Sequence, residues 1–281
     1  MALVEVVFSQ KQVSCPVTSS PSPRKPAWVV DDWLRNKLPI RIVEPEPVTS
    51  EDLSLVHDHD YVEGVLNCSI PNGFRGRDAD VAESLRWTVG SFLTAARLAL
   101  GNSRVACSPT SGFHHAGVRS GYGYCTFNGL LVAAKRLKDD GALERVGIID
   151  CDQHFGDGTA EIIDEYRLDW ITHDSREYFV EYPRFGAGPR FLEALPSLVR
   201  GMAGCDLLMY QAGGDQHQND PLGGFLTTAE MAERDRIVFS EAKAMNIPIV
   251  WNLAGGYQSP HERIIEIHRN TMLACVSVFR D

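Results

Sequence analysis

Two histidines stand next to each other at His114 and His115, inside the stretch SGFHHAG, walled by small residues and without a Lys or Glu nearby. Imidazoles accept and return protons near neutral pH, so a doubled histidine is a candidate for acid–base work. Further on, DCDQHFGDGT spaces Asp150, Asp152 and His154 by two, so an extended backbone turns all three to one side. Two carboxylates and an imidazole there make a divalent-metal candidate, and the mixture suits zinc or iron better than calcium or magnesium. Asp215 follows a glycine pair in AGGDQHQNDPLGG, and Tyr257 follows another in LAGGYQ. Taken singly, each has an ordinary structural explanation: a satisfied histidine, a turn aspartate, a packing tyrosine. Their recurrence at successive strand ends is what carries weight.

The elements that would position them are short apolar runs separated by longer amphipathic ones. Strands are expected at 3–8, 39–43, 104–108, 145–150, 168–173, 206–211 and 247–254. Between them, residues 79–98 put Val81, Leu85, Val89, Phe92 and Ala96 on one helical face, Thr227 with Glu230 forms a capping-box start, and 261–280 reads as a closing helix. Apolar strands alternating with helices imply a mostly parallel sheet covered on both faces, a three-layer α/β/α arrangement. The Pro/Ser-rich stretch at 14–27 lies too near the start to separate domains, so residues 1–281 are expected to form a single domain. In such sheets ligands bind beyond the carboxyl ends of the strands, where the histidines, aspartates and tyrosine fall.

Composition narrows the class. Apolar residues make up 44% and charged residues 23%, ordinary for a globular protein. The formal net charge of −10 argues against a general nucleic-acid binder. MALVEVVF reads as a strand and not a leader, and no run approaches a membrane span. Seven cysteines without a CxxC pair read as reduced thiols of a cytoplasmic protein.

In this order and with these gaps, SGFHHAG, GYGYCTFN, DCDQHFGDGT, AGGDQHQNDPLGG and LAGGY resemble the zinc-dependent histone deacetylase family, which includes bacterial histone deacetylase-like amidohydrolases and acetylpolyamine amidohydrolases. The likeness runs from about residue 55 to 258. It implies an arginase-like parallel sheet and a Zn2+ ion, with Fe2+ the alternative, held by Asp152, His154 and Asp215. It makes His115 the general base and acid and His114 its electrostatic partner, with Asp150 behind His114 and Asp157 behind His115. It makes Tyr257 the oxyanion donor, and sets Tyr124 with Gly123 and Gly256 along the channel for the acyl chain. A structural K+ near the 150–154 backbone also fits the family. The reaction implied is removal of an acyl group from an N-acylated amine. Acyl-lysine of a protein or peptide is the first reading, and an acetylated polyamine or other small N-acyl amine the second. Neither a nucleic acid nor a membrane partner is implied, and the oligomeric state leaves no mark.

The chain departs from the family at Phe155, where many relatives have histidine, and at Tyr124, where phenylalanine is usual. The segment before residue 50 matches poorly. Residues 68–80 should border the channel mouth, with Arg75 and Arg77 read as solvated charges. His57 and His59 are expected in a helix as structural or surface groups, and His217 is left out because the family does not use its position. An arginase-like two-manganese enzyme would need an Asp-x-Asp pair at Asp215, but residue 213 is Gly and 217 is His. An inactive binder of acylated partners is the rival of another class, disfavoured because His114, His115, Asp150, Asp157 and Tyr257 are all present.

Overall fold

The computed structural model describes residues 3–176, 178–182 and 186–280. Its strands are β1 (Val4–Val7), β2 (Ile40–Val43), β3 (Val105–Ser108), β4 (Val146–Asp150), β5 (Ile171–Asp174), β6 (Leu207–Gln211) and β7 (Ile249–Asn252). Its helices are α1 (Lys25–Arg35), α2 (Ser50–Leu53), α3 (His59–Leu66), α4 (Ala79–Leu98), α5 (Gly129–Asp139), α6 (Asp157–Glu165), α7 (Tyr178–Glu181), α8 (Gly188–Arg200), α9 (Thr228–Ala244) and α10 (Glu262–Phe279). The strands form one sheet in the order β2-β1-β3-β7-β6-β4-β5, and every pairing is parallel. The chain leaves β3 and re-enters the sheet at β4, past the positions later filled by β7 and β6. The carboxyl ends of these four strands therefore surround a crevice of the kind in which such sheets bind ligands.

The inner strands β3, β4, β6 and β7 are buried along their length because both faces are covered, whereas the edge strands β2 and β5 carry Arg41, His173 and Asp174. Successive residues alternate between two cores. Val105, Cys107, Ile149, Leu208, Tyr210, Ile249 and Trp251 pack on one side with Trp33, Phe191 and Phe239 from α1, α8 and α9. Ala106, Val146, Ile148, Leu207, Met209 and Val250 pack on the other with Phe92, Leu130 and Ile162 from α4, α5 and α6. The five expected face residues of α4 are all buried, and Thr227 accepts from the Glu230 N–H at 3.2 Å while the Glu230 carboxylate accepts from the Thr227 N–H at 2.8 Å.

One strand boundary shifts. The strand placed at 168–173 is Ile171–Asp174, because Arg167 takes a left-handed φ of 51° and the Leu168 N–H closes back on the Ile163 carbonyl at 2.9 Å, ending α6. The 14–27 stretch folds onto the sheet's carboxyl end: Ser20 and Ser22 are buried, and the Ser111 hydroxyl donates to the Ser22 carbonyl at 3.0 Å.

The fully buried Arg234 of α9 ties this end together. Its Nη1 donates to the Gly213 carbonyl at 2.7 Å, to Gln216 Oε1 at 3.0 Å and to the Cys151 carbonyl at 3.3 Å, just past the ends of β6 and β4. Its Nε donates to Asp235 Oδ1 at 2.9 Å, an oxygen that also accepts from the Tyr210 hydroxyl at 2.5 Å. Replacing one member of a buried charge pair strands the other, at a cost of about 3–5 kcal/mol. Arg234→Leu should therefore lose stability of that order, read as a lower urea midpoint with the slope unchanged; a wild-type midpoint would contradict the assigned role.

Candidate metal centre

The structure brings Asp152, His154 and Asp215 together: one donor atom from each lies within 4.8 Å of the others. Asp152 and His154 follow β4, and Asp215 follows β6, the neighbouring strand. His154 Nδ1 stands 3.0 Å from Asp152 Oδ1 and 3.2 Å from Asp215 Oδ2. Three donors bound at about 2 Å around a tetrahedral ion lie roughly 3.3 Å apart, so these separations match. Each carboxylate is aimed by backbone: Asp152 Oδ2 accepts from the Gly255 N–H at 2.9 Å, and Asp215 Oδ1 accepts from the Gln153 N–H at 3.1 Å. The second oxygen of Asp215 is buried without a hydrogen bond, the approach of His154 notwithstanding. An orphaned buried carboxylate oxygen facing an imidazole nitrogen and a second carboxylate is a donor set that fits a zinc ion.

The charges tell the same story. Burial and the adjacent Asp152 push Asp215 up to about 7. Burial acts the same way on Asp152, but the cationic His114 and His154 outweigh it and hold that carboxyl well below its usual range. Burial lowers His154, yet the two carboxylates raise it to about 11. Without a cation between them, the two aspartates cannot both be charged unless a histidine proton compensates.

The tandem histidines lie on the adjoining wall, with ring centroids 4.1 Å apart. His114 Nδ1 meets Asp150 Oδ2 at 2.7 Å, and His115 Nδ1 meets Asp157 Oδ1 at 2.6 Å, so each ring has its own carboxylate. The environments differ. For His114, burial lowers the pKa, but Asp150, Asp152 and Asp215 raise it to about 9. For His115, burial and the charge of His114 lower it, against the pull of Asp157. At neutral pH one ring is a cation and the other a neutral base whose Nε2 is free of Asp157.

Backbone supports hold this wall. The buried His57 donates from Nδ1 to the Gly117 carbonyl and accepts at Nε2 from the Asn128 N–H, both at 2.8 Å, and burial lowers its pKa to about 4. It precedes α3 and its Asp58 cap, while His59 opens that helix, so only one of the two lies in the expected helix. Asn128 also donates to the Ala116 carbonyl at 3.2 Å. Gly123 has φ 56°, and a side chain there would meet His115 Cδ2 at 2.7 Å, so the residue before Tyr124 must be glycine for His115 to sit as it does.

A narrow pocket opens onto His114, His115, Asp152 and His154, walled by Gly123, Tyr124, Gly255 and Tyr257. The Tyr124 ring lies 5.7 Å from Tyr257 and 5.8 Å from Phe74, through which the 68–80 segment packs on the Tyr124 wall. The Tyr257 N–H donates to Asp220 Oδ2 at 2.7 Å, and burial with the nearby Asp152 and Asp215 raises the phenol well above its usual range, keeping it a donor. Gly256 is placed differently from the expectation: a side chain there would strike Ile264 at 2.2 Å, so it faces α10 and Gly255 lines the pocket. His217 is no part of the site; it sits 3.0 Å from the Thr228 hydroxyl and accepts from the Asn219 N–H at 3.2 Å.

Three supports escape sequence reasoning. Lys25, fully buried, donates to the Ala254 carbonyl at 2.5 Å and the Gly255 carbonyl at 3.1 Å, gripping the LAGGY turn from α1; burial lowers it to about 8 against the pull of Asp215 and Asp152. Ser175, after β5, accepts from the Gly156 N–H at 2.8 Å and stands 3.4 Å from Asp150 Oδ2, so this strand end serves the site as well. Tyr122 donates to Asp157 Oδ2 at 2.5 Å. Nothing local in the sequence marks any of them.

A model of the histone deacetylase domain matches residues 22–188, so the matched region opens well before residue 55 and takes in Ser22 and Lys25. The chain is 29% identical over 243 residues to an uncharacterized protein of Picosynechococcus, covering 78% of this chain and 79% of that one. It is 28% identical over 270 residues to histone deacetylase 2 of Arabidopsis thaliana, covering 84% and 68%. Among solved structures, the HDA15 HD domain superposes with a TM-score of 0.79 at 17% identity, over 99% of this chain and 90% of that one. An acetylpolyamine aminohydrolase from Burkholderia pseudomallei superposes with a TM-score of 0.77 at 18% identity, over 98% and 99%.

The two histidine environments are separable by experiment. In metal-free protein, ring titration by NMR should show His115 losing its proton below the ordinary histidine value and His114 keeping its own to about 9. Asp150→Asn removes the anion beside His114, so His114 should fall, and His115, relieved of a neighbouring cation, should rise. Movement of both in the same direction would contradict the coupling.

Proposed function

The chain belongs to the histone deacetylase domain family, and on that premise we propose that it is a zinc-dependent amidohydrolase that removes an acyl group from an N-acylated amine, foremost an acyl-lysine side chain of a protein or peptide. One observation carries the reading: Asp152 and His154, which form a donor set with Asp215, border the same pocket as His115 and Tyr257. Glycines at 123 and 255 beside the flat Tyr124 ring are walls that suit a slim linear acyl-amine end. Asp152, His154 and Asp215 would hold the zinc ion, which when bound polarises the amide carbonyl and acidifies water.

The protein's own residues do the rest. Asp157 keeps the His115 proton on Nδ1, leaving Nε2 to take a proton from the attacking water and return one to the departing amine. His114, fixed by Asp150, sets a second imidazole 4.1 Å from His115; in its protonated form it would keep His115 neutral and stabilise negative charge forming beside it. The Tyr257 hydroxyl donates to the carbonyl oxygen as charge develops there, its loop gripped by Asp220 and Lys25.

Acyl release from an acetyl-lysine peptide and from an acetylated polyamine, with Asp152→Ala as the blank, tests the reading and ranks the two substrate classes. Turnover that vanishes in the blank supports the amidohydrolase; zinc binding without turnover on either moves the chain to the inactive acyl-binding class. Tyr257→Phe should keep fold and zinc while losing roughly a hundredfold in kcat. Near-normal turnover in that variant would remove Tyr257 from the mechanism.

A further inference from the structure

We propose that Tyr122 is a positioning residue that clamps the Asp157–His115 pair from outside the pocket. The inference rests on the reading of His115 as the group that moves protons. Asp157 is the first residue of α6, and its side chain is 44% exposed, unlike the fully buried Asp150 behind His114. A carboxylate in that position can turn away from its histidine and be hydrated instead. Both of its oxygens are engaged: Oδ1 by His115 Nδ1 at 2.6 Å, Oδ2 by the Tyr122 hydroxyl at 2.5 Å. The phenol therefore takes the place of solvent on the outer oxygen and locks the carboxylate's rotation, the support that burial gives Asp150.

The rest of Tyr122 acts on the other member of the pair. Its ring packs against His115 with centroids 4.7 Å apart and planes inclined by 33°. His115 thus contacts both the His114 imidazole and the Tyr122 phenol ring, with its carboxylate pinned by the same tyrosine. Tyr122 itself remains 47% exposed, which is difficult to explain by core packing and natural for a brace at the rim. Burial and the Asp157 charge both raise its phenol, so it stays a donor throughout the working pH range. Orienting partners one step removed from a catalytic or metal-bound group typically contribute 10–100-fold to activity.

The test separates hydroxyl from ring and routes the effect through Asp157. Tyr122→Phe keeps the ring and should lower kcat roughly tenfold with KM changed less than about twofold. In an Asp157→Asn background the same substitution should cost less than about twofold, because the hydroxyl then has no carboxylate to hold. In substrate-free, zinc-loaded protein, the downfield His115 Nδ1–H resonance, assigned by its loss in His115→Gln, should shift in Tyr122→Phe. Wild-type kcat with an unmoved resonance, a loss confined to KM, or an equal loss in both backgrounds would each overturn the clamp. Should the wild-type protein hydrolyse no N-acyl amine, the amidohydrolase reading fails and the resonance alone decides: a shift upholds the clamp, and no shift overturns it.

Discussion

Two carboxylates, Asp152 and Asp215, are buried side by side at the ends of adjacent parallel strands, and the rest of the site is arranged around that fact. An unpaired buried charge costs several kcal/mol, and two of like sign in contact cost more. The surrounding residues supply the compensation. Backbone N–H groups of Gly255 and Gln153 satisfy one oxygen of each; His154 and His114 bring positive charge from one side, and Lys25 brings it from α1. What they leave open, an unsatisfied Asp215 oxygen facing His154, is the space a divalent cation fits.

The same carboxylates divide the labour of the two histidines. Adjacent in sequence, each with a carboxylate behind it, the rings differ because His114 lies deep, beside Asp150 and Asp152, and His115 lies shallower, beside a cation. One gains a proton from its surroundings and the other is discouraged from taking one. Pairs of titratable groups pushed apart in this way are how a site keeps an acid and a base ready at one pH. The glycine at 123 and the His57 anchor serve the same end by fixing where the second ring can stand.

Much of this was legible in the sequence for definite reasons. Inner strands covered on both faces are written as apolar runs and so are readable, and the boundary that moved furthest, at 168, lies where a left-handed Arg167 ends a helix without a glycine to announce it. The metal-binding candidates and the tandem histidines are local patterns with their own spacing. What escaped is non-local. Lys25 meets Gly255 from 230 positions away, Arg234 reaches the Cys151 carbonyl across 83, and Tyr122 finds Asp157 across 35. None changes the periodicity around it, so only the folded chain reveals them. Gly255 and Gly256 show a finer limit: two identical neighbours, one facing the pocket and the other Ile264, distinguished only by the backbone turn between them.

The central claim is that the aspartate pair is built to share a cation with His154. Anomalous diffraction at the zinc edge, from crystals of zinc-loaded protein, tests it most directly. One strong peak is expected within bonding reach, about 2.0–2.2 Å, of Asp152, His154 and Asp215 together. A zinc-loaded crystal with no peak there, or with its zinc bound elsewhere, would contradict it.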